Sequence, residues 1–394
     1  MKPILSCGFR PFFLLASGYS VILMALWAFF WAGWPQLPAN PGGPIVWHAH
    51  ELIFGFVIAG IGGFLTTAAP EFLKIKDING QHLLLLLLLW ILGRIAFWSS
   101  AFLDLIPAAV FNIGFLLYLL YLLAPAFWRD PGRKQMAFIY SLIILLAIEG
   151  GFYTAAIRGL NAMPWLYAAV NASMILIIVA LSRISMRIIN NMEEGVNMPE
   201  LETPYLARPP RRNTAIFTIS LFALGELFQP GNDISGWLAL AAASAVLNLL
   251  NDWHIGRPLF NPWVFSMYAV YWCMAMGYLG LGLSILFNWP MASGAWHLLT
   301  TGSMGLAMLL VMVIAGFVHT GRILQFQPWV GIAVIALLLS TLFRVAVVFS
   351  QLTALFMPII VASAAFWSLA FGIYFLKFFR VLTQPAADGR TGCL

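Results

Sequence analysis

The chain has 394 residues, 62% of them hydrophobic and only 9% charged, with a formal net charge of +6. That balance excludes a soluble globular domain and a disordered chain, and it marks an integral membrane protein. The positive charge gathers in loops at one set of span ends, so it is no argument for nucleic acid.

At roughly 20 apolar residues per span, the length holds about twelve transmembrane helices. The predicted spans are 10–33, 47–69, 83–102, 106–127, 136–156, 165–187, 213–229, 234–250, 259–286, 294–317, 328–350 and 354–377. The fold class is therefore an all-α polytopic membrane protein. The basic start leads straight into a full-length span with no small-residue cleavage site, so no cleavable signal peptide is expected. Lys2, Arg10, Lys74, Lys76, Arg129, Arg133, Lys134, the run from Arg183 to Arg212, Arg257, Arg322, Lys377 and Arg380 share one set of ends. The opposite loops carry little beyond Arg158. Both termini are expected to face the cytoplasm. Residues 190–212, mixed in charge and rich in proline, read as a central cytoplasmic linker.

The second span carries the densest chemistry. Trp47 to Pro70 is apolar, yet its first turn holds His48, His50 and Glu51. Each such ionisable group costs about 2.5–3.5 kcal/mol to insert, so a metal, a cofactor or partner charges must offset it. On a regular helix His48 and His50 point about 200° apart and cannot chelate one metal, whereas His48 and Glu51 share a face. Two readings stay open: imidazole ligands to haem iron or copper, or an interfacial His–Glu pair capping the helix. Arg94 and Arg344 in the third and eleventh spans fit haem propionates. They fit equally an ion pair with Glu51 or Asp104, or bonds to backbone carbonyls.

Other polar groups are weaker signals. Glu149 and Glu226 are either proton-relay stations or protonated packing residues. Met304, Met308 and Met312 follow His297 at helical spacing, as copper(I) donors or as adaptable core. His319 is about 33 Å of helix from His297 and belongs to a different place, as a cap, a second metal or cofactor position, or a proton entry. His82 and His254 receive no role. Gly60, Gly62, Gly63, Gly302 and Gly305 permit close helix approach or leave room beside a flat cofactor. Cys7, Cys273 and Cys393 are scattered, and with Cys7 and Cys393 on the cytoplasmic side no disulfide is expected. The chain has no CxxCH for covalent haem, no P-loop, no GxGxxG before a soluble helix and no GxSxG.

An internal repeat organises these residues. Arg10-Pro11-Phe12-Phe13 pairs with Arg257-Pro258-Leu259-Phe260, Trp47-His48 with Trp296-His297, and Arg94 with Arg344, at separations of 247, 249 and 250 residues. Helices 1–4 (residues 1–128) then correspond to helices 9–12 (253–394), with helices 5–8 (129–252) between them in a single transmembrane domain. A shift of eight spans keeps orientation, so the repeats are parallel about an axis along the membrane normal. They place His48, His297, Arg94 and Arg344 at similar depth.

The motifs GFRPFFLLASGY at Gly8, WHAHE at Trp47, GFLTTAAP at Gly63, LWILGR at Leu89, AWH at Ala295 and HTGR at His319 resemble the NnrS family. The match covers both ends of the chain, although Glu71-Phe72 stands where the family commonly has Asn-Trp. The resemblance implies a twelve-span protein with haem and copper, associated with nitric oxide tolerance and denitrification. The resulting expectation is an inner-membrane protein that binds haem b and copper, and binds or reduces nitric oxide. His48, His50 and His297 would be metal ligands, with His319 as a further metal position. Arg94 and Arg344 would hold propionates, and Glu51 would orient an imidazole or pass protons in a reductase-type reaction fed by an unknown electron donor. The alternatives are a secondary transporter, and a haem or copper sensor or assembly factor without turnover.

Overall fold

A computed structural model of the chain describes all residues except 1–2, 35–36, 134, 194–207, 254–256, 350–352, 390–391 and 394. Lys2, Lys134, His254 and most of the predicted linker lie outside the described residues. Among those described there is no strand, and each of the twelve predicted spans lies on a helix. These are α1 (Phe9–Trp31), α2 (Gly43–Leu73), α3 (Gly80–Trp98), α4 (Ile106–Arg129), α5 (Met136–Ile157) and α6 (Met163–Glu193). They continue as α7 (Pro209–Phe228), α8 (Asp233–Leu249), α9 (Pro262–Phe287), α10 (Ala292–Val318), α11 (Pro328–Phe349) and α12 (Thr353–Thr383). Eleven are long and apolar enough to cross a membrane. The exception is α7, whose first turns carry Arg211 and Arg212 behind Pro209 and Pro210.

Helices dominate because a backbone in hydrocarbon must satisfy its own hydrogen bonds. Their ends follow from local chemistry. Asn261 caps α9 by accepting from the Trp263 amide, with Pro262 at the first helical position. Asn232 caps α8 through the Ile234 amide. Lys74 closes α2 in the left-handed conformation.

Two helices depart from α geometry. α2 contains a π-helical segment, Glu51–Val57, and α10 contains another, Leu298–Met304, each just after its Trp-His pair. Such segments insert an extra residue into a turn and concentrate at functional sites.

The chain forms two compact units: residues 1–169, 311–325 and 364–394, and residues 170–310 and 326–363. In the first, α2 is almost wholly buried. A Cβ added to Gly63 would lie 2.9 Å from the Cβ of Phe12, so glycine is what lets α1 approach. Gly62 faces the Phe115 ring in the same way, so side chains of the protein cover these glycines. The C-terminal tail folds back over this unit. Arg10 donates to the carbonyls of Gln384 (2.6 Å) and Leu382 (3.2 Å), and the Ala387 amide donates to Thr320 (3.0 Å). The tail carries Cys393 to Cys7, Cα to Cα 5.2 Å, and a disulfide joins them. This corrects the sequence expectation: compartment reasoning does not foresee a tail folding back across 386 residues.

In the second unit α8 packs on α9 through Gly236, against Ile285 and Leu286, and Gly282, against Leu240. Asp252 accepts from the Arg208 amide (2.9 Å) and the Arg211 guanidinium (2.7 Å). Ser340 and Ser363 bond each other's carbonyls at 2.7 and 2.8 Å, tying α11 to α12.

Candidate functional site

The first unit holds a buried polar cluster at the π segment of α2. Glu51 opens that segment and is fully buried, as is His50 before it. The carboxylate accepts from four donors. Arg94 Nη1 (2.8 Å) and His50 Nδ1 (2.8 Å) meet Oε1, while Tyr19 and Trp98 Nε1 (3.0 Å) meet Oε2. Trp98 Nε1 also donates to the Tyr19 hydroxyl at 2.8 Å. Because a carboxylate only accepts, Nδ1 of His50 is the donor, and Nε2 therefore accepts from the Tyr153 hydroxyl at 2.9 Å. Asn112 closes the cluster, taking Arg94 Nη2 and donating to Tyr153 at 2.7 Å. The His50 ring stacks on Phe97 at 3.5 Å.

Packing around the cluster is tight. A Cβ on Gly55 would fall 2.8 Å from the Tyr19 ring and 2.9 Å from Arg94 Nη1. Trp90 donates to the Gly55 carbonyl at 2.9 Å, and its ring lies under the Arg94 guanidinium at 5.9 Å. Gly55→Ala ordinarily favours a helix by up to about 1 kcal/mol. Here it is expected to destabilise by about 1–3 kcal/mol through overpacking. Thermal unfolding in detergent checks the sign, and a raised melting temperature would refute the packing account.

The other expected residues fall elsewhere. His48 stacks on Trp27, ring centroids 4.1 Å apart. His319 lies at the far end of α2 from His50. It donates through Nδ1 to the Cys393 carbonyl (3.0 Å) and places Nε2 3.8 Å from Glu71. His82 is exposed and bonds Tyr118 at 2.8 Å. Glu226 accepts from the Gly231 amide at the exposed end of α7.

In the second unit His297 and Arg344 share Ser293. His297 Nδ1 lies 2.7 Å from the Ser293 carbonyl, and Arg344 Nη2 lies 3.2 Å from the Ser293 hydroxyl. A carbonyl only accepts, so Nδ1 carries the proton, and in the neutral ring Nε2 is the acceptor nitrogen. Arg344 Nη1 is buried with no hydrogen-bond partner, and no carboxylate among the described residues pairs with it. Thr300 stands three residues after His297, whereas Glu51 stands three after His48.

Sequence reasoning missed Tyr19, Trp98, Asn112, Tyr153 and Ser293. A lone asparagine in an otherwise apolar span was the one available signal, since an amide there needs partners.

A family model described as NnrS protein matches residues 3–386. The chain belongs to the NnrS family. No curated protein and no solved structure matches it. The family motifs can now be read on the fold of an NnrS protein. WHAHE and LWILGR supply His50, Glu51 and Arg94 to the buried cluster. GFRPFF and HTGR supply Arg10 and Thr320, which hold the C-terminal tail. AWH supplies His297.

Proposed function

We propose that this NnrS protein is a multi-pass protein of the inner membrane, both termini cytoplasmic, that holds haem b and binds or reduces nitric oxide in defence against nitrosative stress. The observation that carries the reading is the Ser293–His297–Arg344 arrangement. A haem-ligating histidine commonly donates one ring N–H to a carbonyl and offers the other nitrogen to iron; His297 is fixed in that tautomer by Ser293. Arg344 has a buried N–H without a partner, which suits a propionate carboxylate.

His297 would hold the iron through Nε2, and Arg344 would hold a propionate while Ser293 keeps both side chains oriented. Haem, when bound, supplies an iron centre that takes nitric oxide as a ligand. His50 and Arg94 do not enter this reading, because Glu51, Tyr153 and Asn112 engage them. Among the described residues no three His, Cys, Asp or Glu side chains converge on one point, so the reading is built on haem, with copper as the less supported cofactor. The twin π segments after Trp47-His48 and Trp296-His297 support the internal duplication.

The test is the reduced-minus-oxidised absorbance spectrum of the purified protein, with and without nitric oxide. The expected result is a Soret band that shifts on adding nitric oxide, is lost in His297→Ala and is retained in His82→Ala. A colourless wild type after expression with ample haem would overturn the reading, as would full haem occupancy in a folded His297→Ala.

A further inference from the structure

The first unit buries two carboxyl groups and one guanidinium in a small volume. Glu51 receives four donors, which fill the lone-pair positions of a carboxylate. Arg94 lies against it at 2.8 Å, so this pair is the ionised one. Glu149 on α5 is treated differently. It is 1% exposed, and its Oε2 is buried with no hydrogen-bond partner. Arg94 is the charged group that acts on it, and Glu51 already balances that charge. An ionised carboxylate in these surroundings is an uncompensated ion in an apolar interior, and such a group takes up a proton instead.

We propose that Glu149 is a proton-binding site, a carboxylic acid buried in the membrane span that is protonated at rest and beside the Glu51 network. Tyr153 lies four residues further along the same face of α5. Its oxygen accepts from Asn112 and donates to His50, so Tyr153 joins this face of α5 to the network. The network beside it comprises Tyr19 from α1, His50 and Glu51 from α2, Arg94 from α3, Asn112 from α4 and Tyr153 from α5. Only Arg94 among them is a cation when His50 is neutral. When the proton leaves for solvent, the acid becomes a carboxylate, and Arg94 is the charge beside it. The site therefore takes a single proton and stores it next to the network without recruiting another ion. The inference does not depend on haem.

Infrared spectroscopy of the reconstituted full-length protein tests this by reading the acid directly. The wild type should show a carboxylic C=O band at neutral pH that moves to lower frequency in deuterated water and fades as pH rises. Glu149→Gln, an isosteric and neutral change, should delete that one band. Glu149→Asp should move it, which keeps the assignment testable if the glutamine variant does not fold. Tyr153→Phe should shift its frequency by removing a polar neighbour from the same face of α5. A spectrum with no acid band that depends on Glu149 would overturn the proposal. So would a band indifferent to deuterated water and to pH, which would make Glu149 a sealed packing residue.

Discussion

Glu51→Leu is expected to destabilise the protein by about 3–5 kcal/mol, the usual result of removing one partner from a buried ion pair. The change leaves Arg94 as a bare cation among apolar neighbours and strips the acceptor from His50 Nδ1, Tyr19 and Trp98 Nε1. Arg94→Met should behave similarly, because it leaves Glu51 without its counter-charge. The double variant should recover a large part of either loss, since no isolated charge then remains. Thermal unfolding of the four proteins in detergent measures the cycle. Additive losses in the double variant would show that Glu51 and Arg94 act independently, against the 2.8 Å contact.

Cys7→Ser or Cys393→Ser should cost about 2–4 kcal/mol, the typical contribution of a disulfide closing a long loop. The bond spans 386 residues and so joins almost the whole chain into a ring. Cys393 is also held by its amide to Asp77 (3.0 Å) and by its carbonyl to His319 (3.0 Å). The serine variants should therefore loosen the tail before they unfold the helices. Thiol titration of the denatured protein gives a direct check. One reactive thiol, Cys273, is expected; all three cysteines of the chain reacting without reductant would refute the bond. Both sulfurs belong to buried residues, 0% and 2% exposed, which shields the bond from soluble reductants.

The helical class was legible because a membrane span writes itself as a long apolar run, and each of the twelve predicted spans lies on a helix, eleven of them apolar enough to cross a membrane among the described residues. That His50, Glu51 and Arg94 need partners was legible too, since charge inside such a run cannot stand alone. Their connections were not. On a regular helix adjacent side chains point apart, yet His50 and Glu51 bond each other where the α winding gives way to the π segment. Nothing in ELIFGFV announces that change. Tyr19, Asn112 and Tyr153 come from three other helices, and only the packing of the unit brings them to the cluster. The pairing of Cys7 with Cys393 was hidden for the same reason: the tail's return depends on Arg10, Thr320 and Asp77 together.

The π segment of α2 also has a mechanical meaning. Each residue of an α-helix advances its successors by about 100° around the axis, so the extra residue in Glu51–Val57 sets the two ends of α2 out of phase. The early end is keyed to Tyr153 and Trp27 through His50 and His48, the late end to α1 through Gly63, Thr66 and Thr67. α2 is in effect a key with two bits cut at different angles on one shaft. Loss of a single residue between them would turn one bit out of its lock while leaving every side chain chemically intact. The spacing between the polar turn and the glycine edge is thus as much a part of the site as the residues themselves.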